Sequence, residues 1–327
     1  MKLATLNDGT RDGTLVLVSQ DLRTILPCSM TAPTLQAAIE RWDEVEAPLV
    51  RLSRALDAGQ APGTLPFEAT SMKAPLPRAW QWLDGSAFPT HGDLMQTAYN
   101  LPPVPAGVPL MYQGLSHQFI AGHDDVAFPS VEDGIDFEAE LAVIVDDVPQ
   151  GVSAEDALGH IKLIMLVNDW SLRIIGSAEM RTGFGWVQAK PACSAAPVVV
   201  TPDELGDRWE NGRVHLPVLV HYHGLQFGAA EAGSMAFGFH DLIAHAARTR
   251  SLCAGTIIGS GTISNRNYAQ VGSSCIAEKR AIEKIGSGEA FTPFMQDGES
   301  VRIEVRQLRG SLFGAIDQRV VVAATAR

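Results

Sequence analysis

The feature that most constrains this chain is a series of short apolar runs, each about the length of one β-strand. In several of them apolar and polar residues alternate, which is the pattern of a strand with one buried face. The runs predict strands at residues 141–145, 161–167, 196–200, 214–222, 256–260, 301–305 and 320–323. Fewer helices are predicted, at 154–158 and 239–249, and they do not alternate with strands as in a doubly wound fold. We therefore expect a mixed α/β, strand-rich chain.

The first 72 residues predict a small α+β domain of their own. Strands are expected at 14–18 and 24–26, followed by an amphipathic helix at 34–58 that ends at the breakers Gly59, Pro62 and Gly63. Prolines in the segment 75–78 favour an extended linker, because proline biases itself and its predecessor away from helix. The predicted boundary lies between residues 72 and 73, and the main domain spans 73–327.

The composition narrows the class of partner. With 46% apolar and 19% charged residues, the 327-residue chain can bury a sizeable core. Its net charge of −12 disfavours binding to nucleic acid or to an anionic membrane, and favours a small molecule as partner. No apolar run approaches the roughly 18 residues of a membrane span, and the first residues lack the apolar core of a signal peptide, so a cytoplasmic location is expected. Four scattered cysteines are expected to be reduced and buried.

Two glutamates one residue apart, Glu138 and Glu140, carry the strongest indication of a site. Side chains alternate along a strand, so both carboxylates lie on one face and Phe137 on the other. Asp169 follows the run 161–167 and would add a third carboxylate, a set of oxygen ligands that suits a hard divalent cation. A lone Glu-x-Glu pair more often marks the solvated face of a half-buried strand, so the hypothesis depends on the residues that accompany the pair.

Five short motifs follow one another along the chain: Asp136-Phe-Glu-Ala-Glu140, Asn168-Asp-Trp-Ser-x-Arg173, the Ala-Lys ending at Lys190, Gly259-Ser-Gly-Thr-Ile-Ser264 and Ser274-Cys-Ile-Ala-Glu278. In this order and spacing they resemble the fumarylacetoacetate hydrolase family, from about residue 73 to the end. The resemblance implies a β-roll, which is a large mixed sheet folded over itself, with a small N-terminal domain. It also implies a metal site formed by Glu138, Glu140 and Asp169, with Asp84 as a fourth ligand.

The resemblance further implies a catalytic base and its partner acid. His91, seven residues after Asp84, corresponds to the general base of the family and lies on a segment that could close over a substrate. Glu278 corresponds to the glutamate that pairs with this histidine, and Asp93 is an alternative partner. Lys190 would stabilise the negative charge that develops on the departing group.

Three more residues are implied to contact the substrate, namely Tyr112, Arg173 and Thr262. Arg173 could equally have a structural role, closing an ion pair beside the metal site. Two family residues are absent: Asn100 replaces an arginine that holds the distal acid group, and Gly176 replaces a glutamine near the metal aspartate. These departures leave open which acid is the substrate.

The implied activity is hydrolysis of a carbon–carbon bond in a 1,3-dioxo acid, such as fumarylacetoacetate or an acylpyruvate, in aromatic or tyrosine degradation. The implied cofactor is Mg²⁺, with Mn²⁺ or Ca²⁺ as substitutes. Water would be the nucleophile, because the chain has no Gly-x-Ser-x-Gly serine motif. The alternatives on the same metal site are decarboxylation or tautomerisation of oxaloacetate and hydration of a 2-oxo-pentenoate, and a further alternative is a metal-stabilised binding protein without turnover. A homodimer is expected, partly because residues 311–316 place large apolar side chains near the C-terminus.

Overall fold

A computed structural model of the chain describes residues 1–102, 107–308 and 310–322. Strands predominate in these ranges, as the apolar runs predicted, and short 3₁₀ turns join many of them. The strands are β1 (Lys2–Leu6), β2 (Thr14–Val18), β3 (Thr24–Pro27), β4 (Leu65–Pro66), β5 (Trp82–Gly85), β6 (Met111–Gln113), β7 (Ile120–Ala121), β8 (Val126–Phe128), β9 (Ile135–Asp136), β10 (Ala139–Val145), β11 (Ile161–Asn168), β12 (Ser171–Leu172), β13 (Ser194–Ala195), β14 (Val198–Val200), β15 (Trp209–Glu210), β16 (Arg213–Val214), β17 (Pro217–Tyr222), β18 (Leu225–Glu231), β19 (Thr256–Gly259), β20 (Ser300–Gln307) and β21 (Gly310–Val322). The α-helices are α1 (Leu35–Ile39), α2 (Trp42–Asp57), α3 (Pro89–Tyr99), α4 (Ala154–Ala157), α5 (Arg173–Glu179), α6 (Phe239–Ala246), α7 (Tyr268–Val271) and α8 (Ile276–Ser287).

The strands form two large sheets and two small ladders. The larger sheet has 12 strands, and its main path runs β4-β3-β2-β1-β14-β11-β10-β19-β5-β6. Most neighbours in it are antiparallel, whereas the β19–β5 and β13–β7 pairs are parallel. The second sheet has five strands in the order β18-β17-β20-β21-β8, and its β21–β8 pair is parallel. This mixture of pairings confirms the predicted mixed α/β, strand-rich class.

Two apolar cores lie on opposite faces of the larger sheet. The first lies between the two sheets, where Leu141 of β10 shares a core with Val220 of β17 and Ile303 of β20. The second lies under the N-terminal helices, where Ala142 of β10 shares a core with Leu49 of α2. Successive residues of β10 therefore face different cores, as strand alternation requires. The alternation of side chains along β10 therefore decides which face of the larger sheet carries the functional site described below.

The first 72 residues join the larger sheet directly. β1 pairs antiparallel with β14, with Lys2 opposite Val200. The helix predicted at 34–58 is interrupted at residues 40–41, so two helices form instead of one. Ile39 and Trp42 on either side of this break are both buried, and their spacing continues the helical period that predicted a single helix. The boundary after residue 72 stays a prediction, since the sheet is continuous across it.

Two prolines shorten the predicted strands. Pro217 begins β17 and separates it from β16, so the strand predicted at 214–222 forms two pieces. Pro197 likewise precedes β14, which covers only the last part of the predicted strand 196–200. Proline has no backbone N–H to donate to a neighbouring strand, which explains why Pro197 and Pro217 lie at the starts of strands. The predicted strand 320–323 is the end of β21, although Ala323 lies outside the described residues.

Two surface expectations need correction. Leu312, Phe313 and Ile316 are buried in the core between the sheets, so the segment 311–316 offers no exposed apolar patch for a dimer. The four cysteines are free as predicted, but Cys253 is exposed rather than buried. Within the described ranges, no helix combines the length and the apolar character needed to cross a membrane.

Candidate metal centre and active site

Three buried carboxylates converge on one face of the larger sheet. Asp84 lies on β5, Glu140 lies on β10, and Asp169 directly follows β11. The order β11-β10-β19-β5 places these three strands within four neighbouring positions of the sheet. One carboxylate oxygen from each residue lies within 4.8 Å of the others. We call this group, Asp84, Glu140 and Asp169, the carboxylate cluster.

Gly259 on β19 makes room for the carboxylate cluster. It lies opposite Asp84 in the β19–β5 ladder and opposite Ala142 in the β10–β19 ladder. A Cβ at position 259 would lie 2.2 Å from Asp84 Oδ1 and 2.3 Å from the ring of Trp82. Non-bonded atoms do not approach that closely, so the Asp84 carboxylate can occupy its position only if residue 259 is glycine.

Replacing Gly259 with alanine is therefore expected to displace Asp84 and destabilise the fold by about 1–3 kcal/mol, the usual cost of overpacking a core. Urea denaturation of the metal-free protein measures this change. Gly286→Ala in α8 is the matched control, because a Cβ there meets no atom within 4 Å. Alanine favours helix over glycine, so that control should be neutral or slightly stabilising. Equal stability of Gly259→Ala and the parent protein would contradict the close approach.

The carboxylate cluster has the composition of a site for a hard divalent cation. All the atoms that it could offer to a metal are oxygens. Both carboxylate oxygens of Glu140 are buried without a hydrogen-bond partner among the described residues. Burial and the neighbouring carboxylates raise the pKa of Asp84 and of Glu140 well above their ordinary values. A divalent cation would offset this repulsion, so the residues present fit a metal ion bound by oxygen ligands.

Glu138, predicted as a ligand together with Glu140, lies beside the carboxylate cluster. Two cations hold its oxygens: Arg173 Nη2 donates to Oε1 at 2.5 Å, and Lys190 Nζ donates to Oε2 at 2.6 Å. Burial alone would raise the pKa of this carboxyl, but Arg173 and Lys190 outweigh burial and hold the pKa below its ordinary range. Its role as a metal ligand stays a prediction.

Lys190 links Glu138 to the carboxylate cluster. Its side chain is 8% exposed, and its ammonium also donates to Asp169 Oδ2 at 2.5 Å. The rings of Tyr112 and Trp186 lie 5.4 Å and 5.8 Å from Nζ. Burial alone would lower the pKa of Lys190, but Asp169 and Glu138 raise it above its ordinary value, so the amine is charged. A fixed ammonium in a water-poor site suits the predicted role of stabilising developing negative charge.

Asp169 has a partner on each of its oxygens. Tyr112 donates its hydroxyl to Oδ2 at 2.6 Å, and the thiol of Cys193 donates to Oδ1 at 2.9 Å. Cys193 reaches this position because the next residue, Ser194, pairs with Asn168 in the β11–β13 ladder. Sequence reasoning missed both Cys193 and Trp186, since neither belongs to a motif. The contact of Cys193 depends on strand pairing, and Trp186 lies outside the strands and meets Tyr112 and Lys190 only in the folded chain.

His91 and Glu278 meet at the ends of two helices. His91 lies in the first turn of α3, and Glu278 lies in the first turn of α8. His91 Nδ1 is 3.1 Å from Glu278 Oε2, and the two side chains are 17% and 0% exposed. The alternative partner, Asp93, is exposed on α3. The structure thus brings Glu278, rather than Asp93, to the predicted base.

Arg173 ties the start of α8 to the strands. Its Nε donates to Asp136 Oδ2 at 2.8 Å, alongside its contact with Glu138. Asp136 in turn accepts hydrogen bonds from the backbone N–H groups of Ile276 and Ala277 at the N-terminus of α8. These contacts agree with the structural role considered for Arg173, and its predicted contact with substrate stays untested.

The other two predicted substrate residues border the carboxylate cluster. Tyr112 lies opposite Asp84 in the β5–β6 ladder. Thr262 is 6% exposed and follows Gly261, whose N–H donates to Asp84 Oδ1 at 3.1 Å. Their positions are compatible with a substrate bound over the cluster, and their roles stay predictions.

The sequence matches known proteins over most of its length. The family model described as fumarylacetoacetate (FAA) hydrolase C-terminal matches residues 81–321, and the one described as fumarylacetoacetase N-terminal domain 2 matches residues 1–78. The chain therefore belongs to the fumarylacetoacetate hydrolase family, which confirms the resemblance.

Two curated relatives illustrate the range of activities within this family. A human mitochondrial oxaloacetate tautomerase is 26% identical over 234 residues, which cover 70% of each chain. A 2,4-didehydro-3-deoxy-L-rhamnonate hydrolase from a Sphingomonas species is 27% identical over 163 residues, which cover 49% of this chain and 54% of that protein. The chain thus spans about half the length of that hydrolase. Family membership by itself therefore leaves the reaction open.

Two solved structures share the fold over its whole length. The fumarylacetoacetate hydrolase of the psychrophile Exiguobacterium antarcticum has a TM-score of 0.67 at 16% identity, with 99% of this chain and 100% of that chain covered. Maleylpyruvate hydrolase from a Sphingobium species, solved with manganese(II) and pyruvate, has a TM-score of 0.65 at 17% identity, with 99% and 100% covered. These similarities establish the architecture of this family for the present chain.

Proposed function

We propose that this chain is a Mg²⁺- or Mn²⁺-dependent hydrolase that cleaves a carbon–carbon bond in a 1,3-dioxo acid of the acylpyruvate or fumarylacetoacetate type. The observation that carries the proposal is the largely buried His91–Glu278 pair, which Glu138 and Lys190 connect to the carboxylate cluster. A base, a cation and a set of metal-binding oxygens are the three elements that such a hydrolysis needs. The fold neighbour solved with manganese(II) and pyruvate supports both the metal and the product class.

In the proposed reaction of an acylpyruvate, a divalent ion at the carboxylate cluster would supply Lewis-acid polarisation of the dioxo group. Glu278 holds His91 through Nδ1, so that Nε2 accepts a proton from water. The hydroxide adds to the acyl carbonyl carbon, the carbon–carbon bond breaks, and its electron pair stays on the departing enolate. Lys190 donates a hydrogen bond to the enolate oxygen, and His91 returns the proton to carbon. One water is consumed, and one carboxylic acid and one 2-oxo acid are released.

Oxaloacetate tautomerisation is the second candidate, and the match to a human oxaloacetate tautomerase over 70% of the chain favours it. In that reaction the His91–Glu278 pair would move a proton between carbon 3 and the oxygen on carbon 2. No bond between carbons breaks, so the two activities differ in their products.

An assay with acylpyruvates, fumarylacetoacetate and oxaloacetate, each with added Mg²⁺, separates the two candidates. Hydrolysis predicts loss of the enol absorbance together with equal amounts of two acids. Tautomerisation predicts rapid equilibration of oxaloacetate without its consumption. Equilibration of oxaloacetate with no cleavage of any dioxo acid would replace the first candidate by the second, and stabilisation by metal without turnover would indicate a binding protein.

We also propose that the chain forms a homodimer, although the buried segment 311–316 does not supply the contact. Light scattering at micromolar concentration should give about twice the 35.0 kDa mass of one chain. A mass of one chain, unchanged by Mg²⁺, would contradict the dimer.

The cytoplasmic location and the place in tyrosine degradation stay sequence predictions.

A further inference from the structure

A second group of metal-ligating side chains lies beside the carboxylate cluster. One ligand atom from each of His91, Glu138 and Cys275 lies within 4.8 Å of the others. Glu138 and Cys275 are buried, and His91 is largely buried. The backbone holds two of the three together, because Glu138 and Cys275 form a β-bridge. We call His91, Glu138 and Cys275 the mixed-donor cluster.

The donors of the mixed-donor cluster differ in kind from those of the carboxylate cluster. One imidazole nitrogen, one sulfur and one carboxylate oxygen are the ligands that zinc prefers, whereas Mg²⁺ prefers oxygen alone. We infer that the mixed-donor cluster is a second metal site, selective for Zn²⁺ and similar borderline ions, and that its occupation inhibits the enzyme. On binding, the ion replaces the thiol proton of Cys275, which is released to solvent.

The surroundings of His91 support this assignment independently. A histidine that binds zinc usually donates its other ring N–H to a carboxylate, which fixes the ring. Glu278 Oε2 lies 3.1 Å from His91 Nδ1 and can have this role, which leaves Nε2 with a lone pair for a metal ion. The second oxygen of Glu278 is buried without a hydrogen-bond partner among the described residues. Glu278 thus supplies the partner that a zinc-binding histidine needs.

Cys275 is held in place by the same helix. It is the N-cap of α8, and its Sγ accepts the N–H of Glu278 at 3.3 Å. Serine is among the most favourable N-cap residues, so serine at position 275 would keep the cap while removing the sulfur ligand. The chain therefore offers a variant that separates metal binding from helix stability.

Inhibition follows from what a bound ion would displace. Arg173 holds Oε1 of Glu138 and Lys190 holds Oε2, so a divalent cation bound at Oε2 would repel the Lys190 ammonium from its position. The same ion takes the lone pair of His91 that accepts the proton in the proposed reaction. Zinc would thus remove both the base and the positioned ammonium. The inhibitory part of this inference rests on the proposed function, whereas the binding part does not.

Cobalt spectroscopy tests the binding part without any activity. The full chain is stripped with a chelator, saturated with Mg²⁺ to fill the carboxylate cluster, and titrated with Co²⁺ as a coloured substitute for zinc. We expect a near-ultraviolet sulfur-to-cobalt charge-transfer band that Zn²⁺ then removes. Cys275→Ser should lose the band, whereas Cys253→Ser, at an exposed position, and Cys193→Ser, at a buried one, should keep it.

Enzyme kinetics test the inhibitory part. In saturating Mg²⁺, Cys275→Ser should raise the Zn²⁺ concentration needed for half inhibition by at least about tenfold, because even the loss of an outer-shell partner of a metal ligand usually costs that much. No charge-transfer band in the parent protein, or a band that survives in Cys275→Ser, overturns the assignment. Zinc-edge X-ray absorption of the parent protein needs no variant, and a coordination shell without sulfur also overturns it. A sulfur-containing shell with no turnover of any dioxo acid keeps the zinc site and rejects the proposed function.

Discussion

Glu140→Gln is expected to abolish the stabilisation of this protein by Mg²⁺ and to lower kcat/KM by roughly 10³. Glu140 has no hydrogen-bond partner on either oxygen among the described residues, so its carboxylate is available to a cation and to little else. Glutamine keeps the shape and removes the charge. A metal ion contributes several kcal/mol of transition-state stabilisation, and each 1.36 kcal/mol changes the rate about tenfold.

The same substitution should not harm the metal-free fold. In the absence of a cation, the Glu140 carboxylate is buried next to Asp84 and Asp169, and glutamine relieves that repulsion. We therefore expect the melting temperature of metal-free Glu140→Gln to equal or exceed that of the parent. At a Mg²⁺ concentration of about 100 times Kd, the parent should gain about 2.7 kcal/mol, and the variant should gain little of this.

Glu304→Gln is the matched control for this experiment. Glu304 is also a buried glutamate, but it lies in the second sheet and is held by Arg302 and Arg306. Its replacement should lower stability while leaving the shift caused by Mg²⁺ intact. A full Mg²⁺ shift with full activity in Glu140→Gln would show that the carboxylate cluster is not the metal site.

His91→Ala is expected to lower kcat by about 10²–10⁴, the usual contribution of a general base, with little change in the Mg²⁺ shift. The physical reason is that His91 touches Glu278 rather than the carboxylate cluster. Glu278→Gln should lower kcat as well, because the base loses the carboxylate that orients its ring. Steady-state kinetics on the preferred dioxo acid, with melting curves in Mg²⁺, measure both effects.

The double variant shows whether His91 and Glu278 act as one unit. If they do, His91→Ala with Glu278→Gln should cost little more than His91→Ala alone, because residues that act together are not additive. Asp93→Asn is the control, since Asp93 is the exposed alternative on the same helix. A large loss in Asp93→Asn with near-normal turnover in Glu278→Gln would assign the partner to Asp93 instead.

Much of the fold and part of the site could be predicted from the sequence, for local reasons. The apolar runs predicted β10, β11 and β19, because burial and side-chain alternation are properties of a few consecutive residues. The motifs at residues 136–140 and 274–278 led to the family, which the family models confirm. Two predicted elements were too long. Pro217 divides the strand predicted at 214–222, and a break at residues 40–41 divides the helix predicted at 34–58.

The composition of the site depended on contacts that no local pattern contains. Glu138 and Glu140 look equivalent in sequence, yet Glu138 is held by Arg173 and Lys190, whereas Glu140 lies with Asp84 and Asp169. The difference arises because the sheet order β11-β10-β19-β5 brings Asp84 from a strand far away along the chain.

Three further features of the site also depend on contacts between segments that are distant in the sequence. Gly259 is needed because β19 passes directly beside Asp84. Cys193 reaches Asp169 through the pairing of β13 with β11, and Cys275 joins His91 and Glu138 through a bridge between distant segments. The amino-acid sequence by itself determined which residues could supply a base, a cation and metal-binding oxygens. The tertiary structure decided which of them meet, because the distances between side chains on different strands depend on sheet order and register, and neither is encoded in any short stretch of the chain.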